Sequence, residues 1–275
     1  MSDKPGLIIP VDKPVGWTSF QVVNKLKWHL RRTLGIKKLK IGHAGTLDPL
    51  ASGLLLVCIG GATKQIEQLQ SGIKEYSGTM VLGATTPCFD LERDIDHYYP
   101  TSQITEELIE RTRHRFVGEI EQVPPMFSAV KVDGKRAYVS ARNGEIAQIA
   151  SKRVTIQRFE ITAFRPGDIS KLTIPDSQSL KLTNTNSKEL YRNPQGHIPE
   201  GLPQLDFLIT CSKGTYIRSV ARDFGEALDS GAFLSALRRE RIGDFTLADA
   251  IRIEEIEGRL NSENPMLQPL KQTLL

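Results

Sequence analysis

Cysteine is scarce in this chain: Cys58, Cys88 and Cys211 are the only three in 275 residues. They are odd in number, widely spaced and form no CxxC pair, which argues against a disulfide framework or a structural zinc site. The five histidines lack metal-ligand spacing as well, so no metal is expected. Long apolar runs are also missing. The most apolar stretch, Leu54–Ile59, has strand length, far short of the roughly 20 residues that span a bilayer. Cys58 lies inside it and reads as a small buried hydrophobe. Met1-Ser2-Asp3-Lys4-Pro5 has neither the charged start nor the apolar stretch of a signal peptide. These absences predict a cytoplasmic protein with no membrane segment.

What is present is ordinary in bulk and uneven in detail. Hydrophobic content is 39% and charged content 25%, as in a globular protein with a sizeable core. The length fits one large domain or two small ones. Net charge is only +4, but between Gln21 and Leu47 stand Lys25, Lys27, Arg31, Arg32, Lys37, Lys38 and Lys40, with no acid. Arg238, Arg239 and Arg241 form a second cluster. Such local excess suits a polyanion, but charge alone favours the plainer reading of a solvated helix face.

Leu7–Val11 reads as a strand, and Thr18-Ser19 opens a helix that ends near Gly35. Residues 41–53, rich in Gly and Pro, read as a loop, and Leu54–Ile59 as a buried strand. A short helix over 62–71 and a strand over Lys74–Leu82 follow. Thr105 caps a helix through Phe116, stopped by Gly118. Phe127–Val132, Asp133-Gly134 and Lys135–Tyr138 carry a hairpin signal. Val154–Phe164 and Leu205–Cys211 read as strands. Tyr216–Leu228 reads as a helix burying Ile217, Val220, Ala221, Phe224 and Leu228, and Thr246–Leu260 as a last helix. Residues 166–204, rich in Ser, Thr, Asn, Pro and Gly, read as a polar surface insertion. Strands and helices interleave without a βαβ rhythm, which predicts an α+β domain around a mixed sheet.

Three segments could carry chemistry. Gly42–Leu54, GHAGTLDPLASGL, places an imidazole, a hydroxyl and the Asp48 carboxylate on a Gly- and Pro-fixed path before a buried strand. That is a usual place for a catalytic group, and an Asp-Pro turn cap explains it as well. In Cys211–Val220, CSKGTYIRSV, a strand turns into a helix with Arg218 in its first turn, beside the apolar face. A buried Arg needs a carboxylate or a phosphate. Asp48, Asp223 and Glu226 are the candidates. Tyr76 on a strand is either core or a ring for stacking on a base.

Together these segments resemble the TruB family of tRNA pseudouridine synthases. The matching pieces are Lys13-Pro14-x-Gly16-x-Thr18-Ser19, Gly42-His43-x-Gly45-Thr46-Leu47-Asp48-Pro49-x-Ala51-x-Gly53-x-Leu55, Ala62-Thr63-Lys64 and Lys74-x-Tyr76. Further along come Pro124–Lys131 with Gly134-Lys135, then Ser212-Lys213-Gly214-Thr215-Tyr216-Ile217-Arg218, then Leu237-Arg238-Arg239. They stand in the family's order and span nearly the whole chain, which is far more specific than one short motif.

The resemblance implies a pseudouridine synthase fold, α+β, with a mixed, mainly antiparallel central sheet flanked by helices and an RNA-gripping thumb loop. It implies one catalytic domain over 1–275, with the thumb-like region at 119–149, centred on Glu121–Gln148, where Phe127 is either an exposed aromatic or, given its apolar neighbours, a core residue. The implied reaction isomerises uridine 55 in the T-loop of tRNA, with no cofactor. A base inside a folded loop must first be flipped out. By resemblance, Asp48 is the essential carboxylate, as nucleophile or as the base that forms a glycal. His43 fills the vacated stack and Tyr76 stacks on the uracil. Tyr216 and Leu237 line the pocket, Arg218 holds Asp48 ionised, and Lys64 supports the site electrostatically.

After Leu260 about fifteen residues remain, so the resemblance is to a form without the C-terminal PUA domain. The insertion at 166–204 departs from the compact bacterial pattern. The expected partner is the tRNA T-arm, with no membrane and no obligate protein partner, and a monomer is expected. Two other readings stand beside this one: a subunit guided by RNA and protein partners, and a tRNA-binding folding helper.

Overall fold

The computed structural model describes residues 6–127, 131–132, 135–136, 149–172, 198–261 and 263–267. The chain divides into two compact units, residues 1–76 with 238–275, and residues 77–237.

In the first unit, β1 (Gly6–Lys13) is followed by helix α1 (Ser19–Leu34). Thr18 caps α1 by accepting from the Gln21 N–H, and Gln21 reaches back to the Thr18 backbone, a reciprocal capping box. Gly35, at φ 68°, ends the helix in the left-handed conformation that glycine adopts freely. β2 (Ile41–His43) and β3 (Ser52–Gly60) come next. A 3-10 turn over Gly61–Gln65 and helix α2 (Ile66–Ser71) then lead into β4 (Lys74–Leu82).

β3 is the centre of this unit. β1 pairs with it antiparallel, from Gly6↔Gly60 to Lys13↔Gly53, and β2 pairs with it antiparallel through Ile41↔Ile59. With neighbours on both edges and both faces, residues 53–59 are all buried, which explains an apolar run without alternation. Its odd residues Leu55, Val57 and Ile59 pack with Val22, Leu26 and Leu30 of α1. Leu54 and Leu56 face the other way, toward Ala44 and Ile242.

In the second unit, β5 (Ala84–Thr85) pairs with β6 (His97–Tyr98), and α3 (Glu106–His114) is capped by Thr105. β7 (Gly118–Gln122) follows, then the hairpin β8 (Lys131–Val132) and β9 (Lys135–Arg136). The turn between these two strands lies outside the described residues. β10 (Lys152–Arg165) pairs antiparallel with β7 and with β11 (Gln204–Cys211). Helix α4 (Ile217–Ala227) buries four of the five expected apolar positions, with Arg218, Ser219 and Gly225 besides, and the fifth, Leu228, is buried at its C-cap. Phe116, Phe159, Phe207 and Phe224 form its aromatic core, with ring centroids 5.4–6.3 Å apart.

β12 (Ala232–Ile242) begins in the second unit and finishes in the first, where Arg238 and Arg239 pair in parallel with Ser52 and Gly53. It turns into β13 (Phe245–Thr246). β14 (Ile251–Arg252) pairs in parallel with β1 through Val11↔Ile251. The strand pairing is mixed, as the sequence predicts, and mainly antiparallel, as the family resemblance implies.

Three expectations need correction. The continuous helix over Thr246–Leu260 is instead a 3-10 turn at Leu247–Asp249, β14, a second 3-10 turn at Ile253–Glu255, and helix α5 (Ile256–Arg259). Its apolar residues have helical spacing, but Ile251, Ile253 and Ile256 reach the core by separate routes. Residues 41–53 are not all loop, because β2 finds a partner edge on β3. The strand β12 was not expected, since Arg238, Arg239 and Arg241 break any apolar alternation. Of the insertion at 166–204, residues 173–197 lie outside the described residues.

Candidate active site

The loop from Ala44 to Ala51 leaves β2 and returns to β3, and its backbone is tied down on both sides of Asp48. Ala44 N–H donates to Leu56 O at 2.9 Å. Leu47 N–H donates to Ser19 Oγ at 2.9 Å, and that hydroxyl donates to Leu47 O at 3.1 Å. Pro49 O accepts from Gly16 N–H at 2.8 Å and from Lys13 Nζ at 3.2 Å. Asp48 O closes the turn by accepting from Ala51 N–H at 3.1 Å. Asp48 itself is half-buried. Both of its sequence neighbours are therefore anchored, and its side chain starts from a fixed point.

Two buried cations brace this loop. Lys13 is fully buried, and its ammonium also donates to Pro14 O at 2.9 Å and Trp17 O at 2.6 Å. Burial pushes its pKa down to about 8, against the opposing pull of Asp48; Arg239 lowers it further and Asp12 raises it. Arg239, also buried, donates through Nε to Leu54 O at 2.8 Å, through Nη2 to Gly45 O at 3.0 Å and through Nη1 to Thr46 O at 3.5 Å. One guanidinium thus ties the start of the loop to its end.

Of the basic cluster Arg238, Arg239 and Arg241, only Arg239 is withdrawn from the surface. Arg239 is enclosed, Arg238 pairs with Asp12 at 2.7 Å, and Arg241 lies 3.8 Å from Glu75. The charge of Arg239 serves the fold.

His43 sits at the end of β2, half-buried. Burial, and then the positive charge of Arg239, lower its pKa and favour the neutral imidazole. Its Nδ1 is buried and lacks a hydrogen-bond partner among the described residues. Tyr76 is buried in β4. Lys74, two residues earlier, turns its ammonium onto Gln70 O and, at 2.6 Å, Gly72 O, capping α2. Lys64 is exposed in the 3-10 turn after β3. Asp48, His43, Tyr76 and Lys64 all belong to the first unit.

Tyr216, Arg218 and Leu237 belong to the second. Tyr216 precedes α4 and is held by Gln122, whose Oε1 accepts from Tyr216 N–H at 2.8 Å while its Nε2 donates to Tyr216 O at 3.2 Å. Leu237 is half-buried in β12. Arg218 is 4% exposed, with Nη1 donating to Cys88 O at 3.1 Å and Nη2 to Phe127 O at 2.8 Å. Its Nε lies 3.6 Å from Asp90 Oδ2, a carboxylate equally enclosed. Asp223, a candidate from sequence, pairs instead with Arg222 at 2.7 Å. Phe127 is half-buried, with the Arg93 guanidinium 5.7 Å from its ring centre.

Asp90 and Gln122 were missed as site supports, and Lys13, Ser19 and Arg239 stood only as motif letters. For Lys13, Ser19 and Arg239 the signal was present, in motif segments that accompany the Asp48 loop in this sequence. For Asp90 and Gln122 nothing local in the sequence marks them.

Known proteins fall in line with this architecture. The Cbf5 chain in a solved Cbf5-Nop10-Gar1 complex superposes with a TM-score of 0.58 at 27% identity, covering 94% of this chain. This chain spans 55% of the length of that one. An archaeal Nop10-Cbf5 complex gives a TM-score of 0.55 at 22% identity. The fold is that of the pseudouridine synthases.

The model of the TruB family pseudouridylate synthase N-terminal domain matches residues 31–217. A protein of Phocaeicola vulgatus named tRNA pseudouridine synthase B is 46% identical over 263 residues, covering 96% of this chain and 97% of its own. One of the same name from Flavobacterium johnsoniae is 47% identical over 256 residues, covering 93% and 96%. The chain belongs to the TruB family of pseudouridylate synthases.

Proposed function

We propose that this chain isomerises uridine to pseudouridine at position 55 in the T-loop of tRNA, with Asp48 as the essential carboxylate. The observation that carries the reading is the anchoring of Leu47 and Pro49 on either side of Asp48. A turn-capping aspartate needs no such double clamp, whereas a reacting group gains from being held in place before its substrate arrives. The name shared by relatives that match over nearly their full length supplies the substrate class.

The reaction moves one base on one sugar. The C1′–N1 bond breaks, the uracil turns, C5 bonds to C1′, and the C5 proton leaves as N1 gains one. Atoms and electrons balance without a co-reactant. The ionised Asp48 either attacks C1′ or takes a sugar proton to give a glycal. His43 fills the stack left by the flipped base, and a neutral imidazole suits that apolar place. Tyr76 stacks on the uracil near C5. Tyr216 and Leu237 line the pocket, Lys64 adds positive potential, and Arg218, which pairs with Asp90 in its own unit, contributes a further positive charge.

The test is purified protein with unmodified tRNA transcript and nothing else. Pseudouridine is expected in the T-loop. Asp48→Asn is expected to lose product by about 10⁴-fold or more while still binding the transcript. Turnover by that variant at the wild-type rate would remove Asp48 from the chemistry. Product only after addition of guide RNA or partner proteins would make the chain a guided subunit.

A further inference from the structure

Along the outer face of α1 runs a track of exposed aromatic and basic side chains. Phe20 is 69% exposed and Trp28 54%, although both are large apolar residues that a helix usually buries. At 100° per residue, Phe20, Asn24, Lys27 and Arg31 form one row, with Trp28 beside it. The opposite face, Val22, Val23, Leu26, Leu30 and Leu34, is fully committed to the core. The two aromatics therefore lie outside the core, not at its edge.

Most charges on this track lack a carboxylate partner among the described residues, and Arg31 donates through Nε only to Ile36 O, at 3.5 Å. Lys25, on the flank, lies 3.4 Å from Glu257. Among the described residues no carboxylate pairs with Lys27, Arg31, Arg32, Lys37, Lys38 or Lys40. The Arg32 guanidinium lies 5.5 Å from the Trp28 ring centre, so a planar cation and a planar ring are presented together. The track also has a fixed origin. Ser19, the first residue of α1, holds Leu47 beside Asp48, and sixteen residues extend about 24 Å from there.

We propose that this face of α1 binds the RNA that flanks the target nucleotide, Lys27 and Arg32 taking phosphates and Trp28 stacking on an unpaired base. The proposal rests on the RNA substrate proposed above. Rings interleaved with cations are what single-stranded or looped RNA requires, because every base offers a face to stack on and every nucleotide a phosphate. A membrane-binding helix presents instead a continuous apolar face, and here that face is inside the protein. The exposed Asn24 lies between Phe20 and Trp28 on this face, which leaves no such surface.

The experiment uses the full chain and unmodified tRNA transcript, measuring initial rates and equilibrium binding at several salt concentrations. Trp28→Ala is expected to raise KM about tenfold with kcat kept, and Trp28→Phe to restore most of the loss. Lys27→Gln with Arg32→Gln is expected to reduce the slope of log affinity against log salt by about 1.5. Unchanged KM and unchanged slope would overturn the proposal. So would loss of binding to phosphatidylserine vesicles in these variants with RNA affinity intact, which would assign the face to a membrane. Wild-type protein that binds transcript but makes no product would sink the proposed reaction and leave the track to be judged by binding alone.

Discussion

Ser19 Oγ holds both backbone polar groups of Leu47, accepting from its N–H at 2.9 Å and donating to its carbonyl at 3.1 Å. A hydroxyl can do both because it carries one donor and two lone pairs. The residue that opens α1 thereby fixes the peptide just before Asp48. Ser19→Ala leaves a buried N–H without this acceptor, at a cost of about 1–3 kcal/mol. The urea midpoint is expected to fall accordingly. Product formation should fall about tenfold with RNA affinity kept, because a small displacement of a reacting group slows chemistry more than binding. An unchanged midpoint would show that the clamp contributes nothing.

Lys13 makes stability depend on alkaline pH. Its pKa in the fold is about 8, below the ordinary 10.5, with burial the largest cause. Between those values the unfolded chain binds more protons than the native one, so stability rises with pH. Below about pH 8 the burden of the buried charge is fully present; near pH 10.5 it is gone. The span corresponds to about 3 kcal/mol. Lys13→Met removes the group, so the wild-type curve minus the variant curve should climb across this window. A flat difference would mean that Lys13 titrates in the fold as it does in water.

Local structure was legible where one segment decides it. Thr18-Ser19 and Gly35 announce both ends of α1, and the six apolar residues of Leu54–Ile59 announce β3. The Asp48 loop was legible as a loop that matters, since its glycines and proline fix a path. Its braces were not. Arg239 stands 191 positions after Asp48 in the numbering, and it reads as surface charge until β12 pairs with β3 and carries it inside. Asp90 is equally silent, because a lone acid gains meaning only from the arginine that folding brings to it. The misread last helix has the same origin: helical spacing records which residues are apolar, not whether they reach the core from one element or three.

Asp90 and Arg218 form an enclosed ion pair within the second unit. Asp90 also receives the Glu92 N–H at 2.9 Å. Asp90→Asn keeps the shape and removes the charge, and is expected to lower stability by about 2–3 kcal/mol. Combining it with Arg218→Met should cost less than the two single changes added together, since the partners share one interaction. Full additivity in thermal melts would show that the 3.6 Å approach is incidental.

Gly53 tests the seam between β3 and β12. Its φ is +100°, and a Cβ placed there would lie 2.4 Å from Arg239 O and 2.7 Å from Arg239 N. Both are backbone atoms of the facing strand, which no rotamer change can move. Gly53→Ala must therefore strain a positive φ and also push apart the register that pairs Gly53 with Arg239. The same shift would draw the guanidinium away from Leu54 O and Gly45 O, loosening the loop that carries Asp48. The expected loss is at least about 3 kcal/mol, with product formation falling further than the unfolded fraction accounts for. Arg239→Lys is the companion change: it keeps the charge and the strand register but loses the fork. It should therefore slow product formation with a smaller loss of stability. If the alanine variant instead melts and turns over like the wild type, the close approach of the two strands does not hold the loop.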